Sequence, residues 1–179
     1  MSVLLEDFKQ SVRSVVRPNR FEVEIVAPTS LKVPVDADEL MFRVQSATIP
    51  DRTFNEIPVK FYGMEYKLPG GETTTDLNIT FLNDAEWDIR DFFEGWAELI
   101  NNRSTSEKAF ADELFEDGTL ITVYQLGFDG KRIAGYEFYH IFPKIVEQIE
   151  LNMETTDTVE TFQVTFAYSY WKQTESSDE

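Results

Sequence analysis

The chain has 179 residues, no cysteine and a formal net charge of −17, with 42% hydrophobic and 14% aromatic residues. That length and apolar content suit one domain with a proper core, and exclude a disordered chain. The missing cysteines exclude disulfides and thiolate metal sites, and the acidity argues against a protein that grips nucleic-acid phosphates.

The acid is spread rather than gathered in a tail: only residues 1–20 are net positive. The opening Met1-Ser2-Val3-Leu4-Leu5 has no basic region and reads against a signal peptide. No apolar run reaches the length of a membrane span, so no membrane anchor is expected.

Residues 3–16 carry Leu4, Leu5, Phe8, Val12 and Val15 near helical spacing and predict a short helix ended by Arg17-Pro18-Asn19. Phe21, Val23 and Ile25 alternate with Glu22 and Glu24, a half-buried strand. Residues 27–39, with Pro28, Pro34, Asp36, Asp38 and Glu39, read as an exposed loop. A strand is predicted over Leu40–Thr48, followed by a turn at Ile49-Pro50-Asp51. Residues 57–82 then read as one long β-hairpin with its tip at Pro69-Gly70-Gly71 and Leu77, Ile79 and Phe81 on its return strand.

Asn83, with Glu86 three residues on, has capping-box spacing. Ala85, Ile89, Phe92, Phe93, Trp96 and Ile100 mark one face of a helix running to about Asn101. Residues 101–118 are polar and give no clear element. Asp129-Gly130 signals a hairpin between two strands. Further strands are predicted over Ile145–Met153 and Val159–Trp171, the latter with Phe162, Val164, Phe166, Tyr168 and Tyr170 on one face. Residues 172–179 read as a polar, mobile tail. The sum is one domain over 1–179 with an N-terminal helical arm at 1–17. Its fold class is mainly β, a barrel or sandwich of mostly antiparallel strands with one central helix and a short N-terminal helix.

Chemistry is sparse. His140 is the only histidine, and it reads as a strand residue rather than a triad member. One His and no Cys cannot hold zinc. Asp112, Glu113, Glu116 and Asp117 lack the spacing of a calcium loop and read as a solvated segment. Pro69-Gly70-Gly71 lacks the following helix of a phosphate loop. Trp87 and Trp96 read as core or interface residues rather than a sugar platform. No catalytic residue, metal or cofactor is expected.

The order of features is informative. Arg17-Pro18-Asn19-Arg20 leads into the Phe21–Ile25 strand. Ala47-Thr48-Ile49-Pro50, Ile57-Pro58-Val59 and a long hairpin follow, then Asn83-Asp84-Ala85 opens an aromatic helix. The chain closes on Thr161-Phe162-Gln163-Val164-Thr165-Phe166-Ala167-Tyr168-Ser169-Tyr170-Trp171. Over almost its whole length it resembles the tail tube proteins of T-even-type contractile bacteriophages. The same architecture is similar to the tubes of type VI secretion and of contractile bacteriocins.

That resemblance implies a virion protein whose hexameric rings stack into a hollow tube, with strands of every subunit joined in an inner barrel. It implies the tail sheath, baseplate and tail-terminator proteins as partners, a tape measure protein in the lumen, and double-stranded DNA passing through without specific binding. Assembly would take place in the host cytoplasm. A related baseplate or terminator ring, or a secretion or bacteriocin tube, is the alternative. With the polar residues of the hairpin region, the resemblance suggests Asp51, Arg52, Glu56, Lys60, Glu65, Lys67 and Glu72 as contacts between subunits or rings. An acidic lumen wall would keep phosphate from sticking.

Overall fold

The computed structural model describes residues 8, 15–31, 35–103, 108, 119–154 and 156–175. Ten strands and two helices are defined among them: β1 (Phe21–Val26), α1 (Ala37–Phe42), β2 (Val44–Ala47), β3 (Arg52–Phe61), β4 (Met64–Thr74), β5 (Leu77–Leu82), α2 (Asp88–Ile100), β6 (Leu120–Leu126), β7 (Arg132–Tyr139), β8 (Phe142–Val146), β9 (Thr161–Ala167) and β10 (Tyr170–Glu175). The strands form two four-stranded antiparallel sheets, ordered β1-β6-β7-β10 and β2-β5-β9-β8, and a separate two-stranded ribbon, β3-β4. Of the two expected architectures this is the sandwich; the sheets do not join into one closed barrel among the described residues.

Period-two patterning drives the burial. Val23, Ile25, Ile121, Val123 and Phe138 of the first sheet meet Leu77, Ile79, Phe81, Phe162, Val164 and Phe166 of the second in one core cluster. Helix α2 adds Ile89, Phe92, Phe93 and Trp96 to it. Phe93 lies 4.7 Å from the Phe81 ring and within 6.1 Å of Phe162 and 5.9 Å of Phe166. On the outer face of the first sheet Arg132 bonds Glu22 at 2.9 Å and also Glu24, and lies over the Tyr124 ring, tying β7 to β1 across β6.

Several sequence expectations are corrected. The predicted strand Leu40–Thr48 begins as helix α1, because Asp36 caps Asp38 and Asp38 and Glu39 suit the first turn; only Val44–Ala47 pairs as a strand. Helix α2 starts at Asp88, not at an Asn83 cap. The Asp84 carboxylate accepts from the amides of Asp88 (3.2 Å) and Ile89 (3.4 Å), while Asn83 donates to Glu160. Ala85 therefore precedes the helix and is exposed.

The eighth strand is Phe142–Val146 rather than Ile145–Met153. The long closing strand is two strands in different sheets, bent at Tyr168-Ser169, and residues 172–175 of the expected tail pair with β7. His140 is not a strand residue: it is exposed, at φ +52°, on the turn between β7 and β8. The Asp129-Gly130 hairpin stands as expected, with Gly130 at φ +81°. Of the predicted helix 3–16 only Phe8, which is helical, and the non-helical residues 15 and 16 are described. Residues 112, 113, 116 and 117 also lie outside the described residues.

Candidate assembly interface

The ribbon β3-β4 extends from the sandwich and is joined to it by two short links, residues 48–51 before it and Thr75-Asp76 after it. Its tip is at Tyr62-Gly63, not at Pro69-Gly70-Gly71. Tyr62 (φ +47°) and Gly63 (φ +82°) make the two-residue turn with positive φ that matches strand twist, and Phe61 faces Met64 across it. Pro69-Gly70-Gly71 instead lies inside β4, where the register slips between Phe54 and Glu56. A Cβ on Gly70 would stand 2.8 Å from the Asn55 carbonyl oxygen, so this bulge needs glycine. The hairpin predicted over 57–82 is corrected accordingly: its return strand Leu77–Leu82 is β5, in the middle of the second sheet.

Alternation sorts the ribbon into two faces. Ile57 opposite Leu68, Val59 opposite Tyr66 and Phe61 opposite Met64 share one face. All six side chains are exposed, from 43% at Val59 to 63% at Phe61 and Met64. Pro58 opposite Lys67 and Lys60 opposite Glu65 share the other face, with Glu56 bonded to Lys67 at 2.5 Å. With these side chains exposed, the apolar face of the two-stranded ribbon is left largely open among the described residues.

The root is polar and well connected. Arg52 donates to both carboxylate oxygens of Glu72, at 2.7 and 2.9 Å, and its guanidinium lies 5.5 Å from the Trp171 ring centre and 5.6 Å from that of Phe54. Asp51 accepts from the hydroxyls of Thr75 (2.7 Å) and Thr53 (3.1 Å), and Tyr168 donates to the Thr75 carbonyl at 2.8 Å. These contacts hold the Asp51 carboxyl below its ordinary range, through Thr75 first, and the Glu72 carboxyl likewise, through the hydrogen bond from Arg52. Between the root and β10 lies an open cleft lined by Arg52, Glu72, Thr74 and residues 169–171 and 173.

All seven residues suggested by the sequence thus sit on or beside the ribbon. Asp51, Arg52 and Glu72 gather at the root; Glu56, Lys60, Glu65 and Lys67 line the polar face. The sequence reading missed the apolar face. Its signal was present as Ile57-x-Val59-x-Phe61 and Met64-x-Tyr66-x-Leu68, and the misplaced tip concealed it.

The sandwich also presents edge strands: β1 and β10 bound the first sheet, β2 and β8 the second. Such edges accept strands from another chain.

A family model described as phage tail tube protein matches residues 16–174. The chain is 24% identical over 157 residues to the tail tube protein of Enterobacteria phage T4, covering 87% of this chain and 90% of that one, and shows the same figures against that of Enterobacteria phage T6. Its fold is similar to a chain in the baseplate of the anti-feeding prophage, with TM-score 0.63, 12% identity and coverage of 90% and 97%. It is also similar to one in the sheath–tube complex of an extracellular contractile injection system, the PVC, with TM-score 0.58, 16% identity and coverage of 94% and 97%. With a match that spans the sandwich, the ribbon and both helices, the chain belongs to the phage tail tube protein family, and it is a structural subunit of a phage tail.

Proposed function

We propose that this subunit builds the hollow inner tube of a contractile tail as stacked hexameric rings, and that the apolar face of the β3-β4 ribbon packs on another copy of the chain. One observation carries the reading: six apolar side chains lie on one face of a projecting ribbon, each at least 43% exposed in the isolated subunit. Contiguous exposed apolar surface of this kind marks an interaction site. The edge strands β1, β2, β8 and β10, unpaired on their outer sides among the described residues, are suited to lateral joining of neighbouring sheets. Six-fold symmetry is supported by the symmetry of the baseplate that contains a similar chain.

Similar chains also occur in a sheath–tube complex, a baseplate and a tube-terminating cap. Sheath, baseplate and terminator proteins are accordingly the partners of this tube, and the role is purely structural. A tape measure protein occupies the lumen during assembly, and DNA passes through it afterwards. The net charge of −17 supports passage without retention, since fixed anions on the wall repel phosphate over roughly a Debye length of ~8 Å at physiological salt. Electron microscopy of the purified chain tests the reading. Long hollow rods are the expected result; single rings that never stack would assign a terminating role, and a monomer at every concentration, even with tube fragments as seeds, would refute it.

A further inference from the structure

The ribbon is a lever. From Arg52 to Phe61 it spans about 30 Å at ~3.3 Å per residue. A rotation of about 10° at the root would therefore carry the tip ~5 Å sideways, one strand spacing. An interface built from pairs such as Val59 and Tyr66 cannot tolerate that shift, so something must fix the angle. The covalent links alone do not: each is short but single-stranded, and the ribbon is paired in a sheet of its own, separate from both sheets of the sandwich.

We propose that Arg52 is the positioning residue that sets the angle of the ribbon for assembly, by joining β3, β4 and the closing strand β10 through one guanidinium. Its fork is engaged by Glu72 on β4, and its guanidinium carbon lies over both the Phe54 ring, at 5.6 Å, and the Trp171 ring, at 5.5 Å. Trp171 is a firm footing, because it packs against the core and lies 5.5 Å from the Tyr136 ring. Tyr168, on the bend before β10, holds Thr75 at the other link. The ribbon thus stands on two points, one on the bend and one on the strand that follows it, and rotation about either is opposed by the other. A planar, five-donor cation can fork a carboxylate and lie over a ring at once, whereas a lysine ammonium supplies only a point charge. This inference rests on the proposed role of the ribbon in packing between copies.

The absence of cysteine makes the test direct. Spin labels on Glu65→Cys near the tip and Glu98→Cys on helix α2 report the angle as a distance distribution in the full chain. The parent is expected to give one narrow distance. Arg52→Ala and Arg52→Lys are each expected to broaden or shift it by about 5 Å, to leave the melting temperature unchanged, and to raise at least tenfold the concentration needed to extend tube seeds. Glu72→Gln, which removes the charge at the same size, is expected to act in the same direction and serves if Arg52→Ala does not fold. An unchanged distance distribution overturns the proposal whatever happens to assembly. A broadened distribution with normal assembly overturns it too. Failure of the underlying reading is separately visible: Phe61→Ala would then extend seeds as well as the parent does, with the distances unaffected.

Discussion

Phe61 separates the proposed assembly role of the ribbon from its stability. Phe61 is 63% exposed in the subunit and is not a member of the core cluster. A phenylalanine offers roughly 200 Å², so about 125 Å² remains for a partner to cover. At ~25 cal/mol per Å² this burial contributes about 3 kcal/mol per subunit. Truncation to alanine leaves part of that area, so Phe61→Ala should cost roughly 2 kcal/mol of elongation free energy, about a thirtyfold rise in critical concentration. The folded subunit should lose less than ~1 kcal/mol, the scale of the cross-strand pairing with Met64. Sedimentation of seeded assemblies at increasing protein concentration reads the first quantity and urea denaturation of the monomer reads the second. A critical concentration within twofold of the parent, or a monomer destabilised by several kcal/mol, would show that Phe61 serves the fold and not the tube.

Three further outcomes follow from particular contacts. Phe93→Ala removes a fully buried ring that touches Phe81, Phe162 and Phe166, and should destabilise the subunit by ~3–5 kcal/mol in denaturant titration. Gly70→Ala places a methyl 2.8 Å from the Asn55 carbonyl oxygen; faster amide exchange in β3 and β4 is expected, with exchange in β5 and β9 unchanged. Glu72 has its carboxyl held below the ordinary value of 4.5 by Arg52. A group depressed on folding contributes fully above its unfolded pKa and loses that contribution as pH falls through its folded pKa. The spin-label distance should therefore be constant from neutral pH down to 4.5 and broaden only below it; broadening between pH 7 and 6 would contradict the assignment.

Much of the sandwich was legible because its strands alternate cleanly. Val23 and Ile25 against Glu22 and Glu24, or Phe162, Val164 and Phe166 against Thr161 and Gln163, leave little choice of face. The helix was legible from Ile89, Phe92, Phe93 and Trp96. The errors fell where two local signals compete. Pro69-Gly70-Gly71 looks like a tip, yet it serves a bulge, while the actual turn uses Tyr62, a residue that rarely adopts positive φ. Asn83 and Glu86 look like a capping box, yet Asp84 does the capping and Asn83 is drawn off by Glu160, 77 residues away. The bend at Tyr168-Ser169 left no mark in an unbroken alternation. Its cause is tertiary: β9 pairs with β5 and β8, whereas β10 pairs with β7. The candidate contact residues fall together because they share one stretch of chain. Their division into root and polar face required the register.

The exposed ribbon and the charge of −17 also belong together. An open apolar face and sheet edges that are unpaired among the described residues are a hazard to a free subunit, since any encounter can nucleate association. Like charge of this size opposes that encounter at long range without blocking contact once two copies are docked. The two terms respond to salt in opposite ways. Repulsion between exposed charges is screened, its range falling from roughly 30 Å at 0.01 M to about 8 Å at 0.15 M. Apolar burial is not weakened by salt. The critical concentration for seeded elongation should therefore fall steeply between 0.01 and 0.15 M sodium chloride and then level off, as light scattering can follow. If instead it rises with salt, ion pairs between copies carry the interface. Glu56, Lys60, Glu65 and Lys67 would then be the docking face, and the apolar face of the ribbon would not.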